Sequence, residues 1–179
     1  MAVSTSAAIA RTLLRVGIGA VLIAHGSQKL FGAFGGGGIE GTGKFFESVG
    51  IRPGKESAIA AGLGEAGGGA SLALGLATPL GAAAAAATMG VAASQHVKQG
   101  FFNAEGGFEF PATLALASSV FIIVGPGPIS IDRLLGYALT KPWMRVVAGA
   151  LVVPAIAAVV LRQRRGTAAD VGSAEPSGE

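Results

Sequence analysis

The chain has 179 residues, of which 51% are hydrophobic and only 13% are charged, and its mean hydropathy is +0.62. Soluble domains carry about 25% charged residues, so this chain has too little charge to cover its surface in water. The absence of cysteine excludes disulfides, thiolate metal sites and cysteine catalysis within the chain. The net charge of +3 is scattered, so nucleic acid is not an expected partner. Composition predicts an integral membrane protein whose main partner is the lipid bilayer.

The first apolar segment, residues 12–31, predicts a membrane span, because about 20 apolar residues cross a bilayer. Arg11 and Arg15 at its start also resemble the charged region of a secretory signal peptide. However, the apolar run ends in Ala24-His25-Gly26-Ser27-Gln28, which lacks a small-x-small cleavage pattern. We therefore interpret the segment as a retained transmembrane helix.

Four further apolar stretches complete an all-α pattern. The predicted spans are residues 12–31, 57–78, 80–97, 110–124 and 144–161. The expected fold is an integral membrane four-helix bundle with an additional fifth C-terminal transmembrane helix. The expected organisation is an N-terminal segment (1–11), the membrane bundle (12–136), an additional apolar helix (137–161) and a disordered basic and polar tail (162–179).

The connecting segments also carry predictions. The glycine-rich loop 32–55 contains a potential short interfacial helix, whose Phe45 and Phe46 are expected to face lipid. Ser130 is a potential cap for a short surface helix that begins at Ile131.

The positive-inside rule leaves the topology open. With five spans and the N-terminus inside, the outer loops hold more basic residues than the inner ones. If the fifth stretch does not cross, the basic tail moves inside and the balance reverses. The rule favours either four spans with both ends inside, or five spans in the inverted orientation.

Ionisable residues inside spans are costly and usually mark a site or a paired contact. Glu65 lies about 13 Å into the second span at about 1.5 Å per residue. Because successive spans alternate in direction, the polar residues near span ends fall toward one side of the membrane. The candidate pocket residues are His25, Gln28, Lys29, Glu65, His96 and Glu109. His25 and Glu65 are the candidates for proton exchange.

Each of these residues also has a structural interpretation. Lys29 can extend to the interface, and His96 and Glu109 can be ordinary interfacial residues. Glu65 is hardest to explain this way, because a carboxylate in an apolar segment needs a partner such as Lys29 or a protonated histidine.

Two other motifs point to chemistry that we reject. Residues 38–44 match G-x-x-x-x-G-K, but Phe45 replaces the Ser or Thr that would hold magnesium, and no strand precedes. Two histidines, His25 and His96, are a weak signal for bis-histidine haem ligation, so haem is not an expected cofactor.

Several segments, in order, resemble the DoxX family of small bacterial and archaeal membrane proteins. They are His25-Gly26-Ser27-Gln28-Lys29-Leu30-Phe31-Gly32, residues 45–53, Glu65 with Gly67-Gly68, Gly107-Phe108-Glu109, Gly125-Pro126-Gly127 and Ser130-Ile131-Asp132-Arg133-Leu134-Leu135. The resemblance covers about residues 13–136, and the fifth apolar stretch and the tail lie outside it.

The resemblance implies a four-helix, multi-pass fold in the plasma membrane. Some relatives are subunits of quinone-linked oxidoreductases that act on thiosulfate or quinol, others are associated with oxidative-stress systems, and many have no assigned activity. The first hypothesis is therefore a redox-system subunit that binds a quinone or quinol. The second is a non-catalytic anchor for a soluble redox enzyme or a second membrane subunit. The third is a small proton or solute transporter, which would require a homo-oligomer.

Overall fold

The structure is a computed structural model that describes the backbone of residues 4–173 and the side chains of residues 4–166. Its α-helices are α1 (Thr5–Phe31), α2 (Gly38–Ser48), α3 (Gly54–Leu74), α4 (Thr78–His96), α5 (Glu109–Val124), α6 (Ile131–Leu134) and α7 (Pro142–Ser173). Short 3-10 turns occupy residues 33–35, 97–99 and 103–105. No strand occurs between residues 4 and 173, so the predicted all-α class is confirmed.

Among the described helices, two are long and apolar enough to cross a membrane: α1 and the Pro142–Gly166 part of α7. α5 is apolar but shorter. α3 and α4 are rich in glycine and alanine, which contribute little hydropathy. Composition and length therefore mark two of the five predicted spans.

Both terminal helices extend beyond their predicted bounds. α1 begins at Thr5 because the Ser4 hydroxyl accepts a hydrogen bond from the Ala7 amide at 3.3 Å. Most of the expected N-terminal segment 1–11 is thus helical, while residues 1–3 lie outside the described part. α7 continues to Ser173, so residues 162–173, which were expected to be disordered, are helical. The rest of that predicted tail, residues 174–179, also lies outside the described residues.

Four helices surround the apolar core. α1 packs along α3, α3 packs on α4, and α4 packs on α5, with a smaller contact between α5 and α1. Leu22, Leu72, Met89 and Phe121 are buried between them. α7 packs mainly on α4 and touches α5 at its edge, so it lies beside the bundle and not within it.

Small residues let α1 and α3 approach closely. A Cβ atom on Gly19 would collide with the backbone of α3 at Gly69, and one on Gly26 would collide with the backbone at Ala66. Such close contact is typical of helices that associate in lipid. It also brings the last turns of α1 against the middle of α3, where Glu65 lies.

Because successive helices alternate in direction, the bundle has two ends. The α2 end contains α2, the C-termini of α1 and α4, and the N-termini of α3 and α5. The α6 end contains α6, the N-terminus of α1 and the turn between α3 and α4. α7 runs from the α6 end to the α2 end.

The α6 end is organised around a buried carboxylate that the sequence analysis did not single out. Asp132 is fully buried and accepts hydrogen bonds from the Ala77 amide (2.8 Å), the Thr78 amide (3.0 Å) and the Thr78 hydroxyl (2.8 Å). It thereby caps the N-terminus of α4 from a distant part of the chain. Arg15, also buried, donates to the Ile129 carbonyl at 2.8 Å. The predicted Ser130 cap is confirmed, because its hydroxyl accepts from the Arg133 amide at 3.2 Å.

Candidate functional site

A cavity of about 430 Å³ lies at the α2 end of the bundle. α1, α2, α3, α4 and α7 all contribute to its walls. Its apolar lining consists mainly of Ala60 and Ala61 from α3, Ala87, Val91 and Ala92 from α4, Ala155 and Val159 from α7, and Phe45, Phe46 and Ile51. Its polar lining includes Lys29, Glu65, Thr88, Gln95 and His96. The cavity has room because the alanine side chains around it are small. The few polar groups can form hydrogen bonds or carry charge.

The ion pair between Lys29 and Glu65 is the most polar feature of this cavity. The Lys29 Nζ atom donates to Glu65 Oε2 at 2.7 Å, and the Glu65 side chain is only 1% exposed. The Lys29 side chain is 23% exposed, so its ammonium group reaches both the carboxylate and the cavity. A buried carboxylate is strongly unfavourable unless it is paired, and this pairing explains how α3 accommodates Glu65.

Gln28 lies next to the cavity and does not line it. Gln28 lines a smaller groove of about 320 Å³ between α1 and α2, together with Lys29, Phe45 and Phe46. These three shared residues make the groove and the cavity neighbours. The Gln28 amide is 3.5 Å from the Phe34 carbonyl, which is a long contact for a hydrogen bond.

The two histidines occupy different environments. The ring of His25 packs against Phe110 of α5, with ring centroids 5.3 Å apart, and does not line the cavity. His96 lines the cavity, and its Nδ1 atom is 2.8 Å from the Gly106 carbonyl. Bis-histidine haem ligation requires both rings to face one space, and the described cavities do not show this arrangement. No group of three potential metal ligands occurs in the described part of the chain.

Glu109 organises a loop. Its Oε2 atom accepts from the Asn103 amide at 3.0 Å, at the base of the segment between α4 and α5. Of the six predicted pocket residues, the structure thus brings Lys29, Glu65 and His96 to one cavity. It places Gln28 in the adjoining groove, and it places His25 and Glu109 on the α5 side.

Several cavity residues were not predicted from the sequence. Phe45 and Phe46 line the cavity, whereas the sequence pattern predicted that they face lipid. Gln95 and Gln163 pair with each other at its edge. In the sequence, each of these two glutamines stands at the end of an apolar stretch. Only the fold shows that these two helix ends meet.

An exposed ion pair holds α2 over the cavity. The Lys55 Nζ atom lies 2.6 Å from Glu40 Oε1, and it joins α2 to the first turn of α3. The Lys55 ammonium lowers the pKa of Glu40 below its ordinary value, and the Glu40 carboxylate raises the pKa of Lys55. The two helices also approach closely where Gly43 faces Gly54.

Fold and cavity together define a small helical protein of membrane character, with a mainly apolar cavity that holds a few polar groups at one end. Residues 10–97, which contain most of α1 and all of α2, α3 and α4, match the DoxX family model. Residues 10–97 are thus identified as a DoxX domain, and members of the DoxX family are generally membrane proteins. The match includes Lys29, Glu65 and His96, while α5, α6 and α7 follow it. No curated protein and no solved structure matches the chain.

Proposed function

We propose that this protein is a multi-pass plasma-membrane subunit of a redox system, and that it binds a quinone or quinol in the cavity at the α2 end. The observation that carries the proposal is the Lys29–Glu65 ion pair in a cavity whose lining is mainly apolar. Such a site combines space for an apolar ring with hydrogen-bonding groups for the ring oxygens. Ligand pockets of about 300–1,000 Å³ with few polar groups are typical of small-molecule sites.

The multi-pass topology is supported by the exposure of apolar side chains. Only 6% of the most apolar 18-residue stretch of α7 is buried, and the Val146 and Val153 side chains are more than 70% exposed. Lipid is the solvent that suits such a surface. α3 connects the same two ends, and its 21 residues span about 31 Å at about 1.5 Å per residue, which matches the hydrocarbon thickness.

The charge distribution supports one orientation. If α7 crosses the bilayer, the two termini lie on opposite sides. Basic residues in the loops and near the helix ends are then more numerous at the α2 end than at the α6 end. Those at the α2 end include Lys44, Lys55, Lys98, Arg162 and Arg164. The positive-inside rule places this end, and the mouth of the cavity, in the cytoplasm.

The residues of this chain would bind the ring and hold a proton. The Lys29 ammonium is the donor for a ring oxygen, because it is partly exposed to the cavity. Reduction of a quinone to a quinol takes up two electrons and two protons, and in this proposal one proton passes through Glu65 and the other comes from solvent at the mouth of the cavity. The electrons would come from a redox partner, either a soluble enzyme or a second membrane subunit.

A binding titration tests the proposal directly. Purified protein in detergent is titrated with a menaquinone analogue, and the wild type is compared with Glu65→Gln. Glu105→Gln is the matched control, because it changes an exposed carboxylate outside the cavity. We expect saturable binding that Glu65→Gln weakens about tenfold, the value of one hydrogen bond to a charged group, while Glu105→Gln has no effect. Absence of binding to the wild type would refute the quinone assignment.

A second candidate function is an anchor for a soluble enzyme. It is favoured by the large aromatic side chains exposed at the α2 end, among them Phe31, Phe34 and Phe102. Affinity purification from mild detergent, with Phe31→Ser/Phe34→Ser as the comparison, tests this role. Capture of a redox enzyme by the wild type alone would support it, and equal capture by both forms would contradict it.

A further inference from the structure

α7 forms one wall of the cavity, although it lies outside the four-helix core. Its Ala155 and Val159 side chains line the cavity directly. The opposite face of the same helix is exposed, with Val153 at 72%. A single helix therefore separates the cavity from the surroundings on this side. In a bilayer those surroundings are lipid.

A pair of glutamine amides fastens this wall at the α2 end. The Gln163 amide nitrogen donates to the Val49 carbonyl at 2.6 Å and to Gln95 Oε1 at 2.8 Å. The Gln95 amide nitrogen donates back to Gln163 Oε1 at 3.1 Å. We name this set of contacts the Gln163 clasp. It joins α7 to α4 and to the residue that follows α2.

The other half of α7 is held by packing. Ala148 is 1% exposed and belongs to the bundle core, and Arg145 donates to the carbonyls of Thr140 and Ile123. α7 is thus anchored firmly toward the α6 end. Toward the α2 end, Leu161 is 52% exposed, Ile156 packs closely on Gly90 of α4, and the clasp supplies the polar contacts.

Pro154 divides these two halves. It lies inside α7 and has no amide hydrogen, so one hydrogen bond of the helix ladder is missing at this point. Helices bend preferentially at such positions. Ala155 and Val159, the two cavity-lining residues, follow the proline. Bending at Pro154 would therefore move the wall of the cavity and leave the packed half in place.

We propose that the part of α7 after Pro154 is a lateral gate, held closed by the Gln163 clasp, through which an apolar molecule dissolved in the bilayer enters the cavity. The ligand class rests on the proposed function, since a quinone is such a molecule. The gate itself rests only on the position of α7 and its contacts. Opening breaks the hydrogen bonds of the clasp, and closing restores them.

The absence of cysteine makes the gate measurable. A single Ala87→Cys substitution places a thiol on the cavity wall of α4. The protein is reconstituted in vesicles, and the thiol is labelled by a lipid-soluble pyrene maleimide. We expect Gln163→Leu and Gln95→Leu each to increase the labelling rate about tenfold, since each removes two or three hydrogen bonds that are individually weak in membranes. The double substitution is expected to add little, because both residues belong to one clasp.

Three controls make the result specific. Gln99→Leu changes an exposed glutamine beyond α4 and should leave the rate unchanged. A thiol at Ala82, which is fully buried in the core, should stay unreactive in every background. The labelling rate with a charged, water-soluble thiol reagent should not increase in Gln163→Leu. Labelling of the Ala82→Cys thiol, or equal acceleration with the charged reagent, would overturn the gate.

The outcomes separate this proposal from the proposed function. If the clasp variants accelerate labelling but the wild type binds no menaquinone analogue, the gate stands and the quinone assignment fails. If the analogue binds and the clasp variants label at the wild-type rate, the gate is refuted and the quinone assignment stands.

Discussion

Lys29 on α1 and Glu65 on α3 are 36 positions apart in the chain and form an ion pair of 2.7 Å at the cavity. The close approach of α1 and α3 at Gly26 makes this pair possible, because a larger residue there would push the helices apart. One glycine therefore controls both the packing of the bundle and the chemistry of the cavity. The helix packing at Gly26 and the Lys29–Glu65 pair can be tested separately.

Replacement of Lys29 by methionine should destabilise the protein by about 3 kcal/mol, because it leaves the Glu65 carboxylate buried without a partner. The double substitution Lys29→Met/Glu65→Leu should recover much of this loss, since it removes both charges. Thermal unfolding in detergent, followed by circular dichroism, measures the effect. Lys44→Met is the control, because Lys44 is an exposed lysine outside the cavity. Equal unfolding temperatures for Lys29→Met and the wild type would contradict the importance of the pair.

Two glycines of α1 form a matched test of helix contact. Gly26→Ala places a Cβ against the backbone of Ala66 and Gly62, whereas Gly17→Ala meets nothing within 4 Å. We expect Gly26→Ala to destabilise the protein by about 1–3 kcal/mol through overpacking. Gly17→Ala should stabilise it by up to about 1 kcal/mol through helix propensity. Unfolding temperatures that shift in the same direction for both variants would be inconsistent with the close contact.

The sequence predicted the helices better than it predicted their contacts. Apolar runs and proline breaks located the main helices, because these signals are local. The one-sided cluster also followed from sequence for Lys29, Glu65 and His96, since alternating spans bring their ends together. His25 could not be placed from sequence, because its ring contacts Phe110, a residue far away in the chain. Asp132 and Gln163 were missed for the same reason, as their partners are more than 50 positions away.

The pH dependence of α2 docking follows from the ion pair between Glu40 and Lys55. The pKa of Glu40 is lowered from 4.5. Its contribution to the free energy of unfolding is therefore present above that value and is lost as the pH falls through the folded-state pKa. The pKa of Lys55 is raised from 10.5, so its contribution is present below that value and is lost as the pH rises through the folded-state pKa. Between these limits the contribution is constant, and it is small because both groups are exposed.

We therefore expect the wild type and Glu40→Gln to differ slightly in unfolding temperature at pH 7, and to converge as the pH falls through the lowered pKa of Glu40. High salt should reduce the difference at pH 7 by screening the pair. Thermal unfolding at several pH values, with Glu105→Gln as an exposed control, measures this. A difference that persists at low pH would show that Glu40 acts through something other than its charge.

Asp132 provides the sharpest test of the α6 end. Asp132→Ala leaves the Ala77 and Thr78 amides unpaired at the start of α4 and removes the carboxylate near Arg15. Loss of a buried cap and its charge-assisted hydrogen bonds should cost about 3 kcal/mol. Asp132→Asn should cost less, because the amide oxygen still accepts one hydrogen bond. Arg133→Gln changes the adjacent exposed residue and should stay within about 0.5 kcal/mol of the wild type. Since Asp132 caps the N-terminus of α4, Asp132→Ala should also speed hydrogen exchange in the first turns of α4 before it affects those of α1. Uniform acceleration along both helices would show instead that Asp132 supports the whole bundle and not the start of α4 alone.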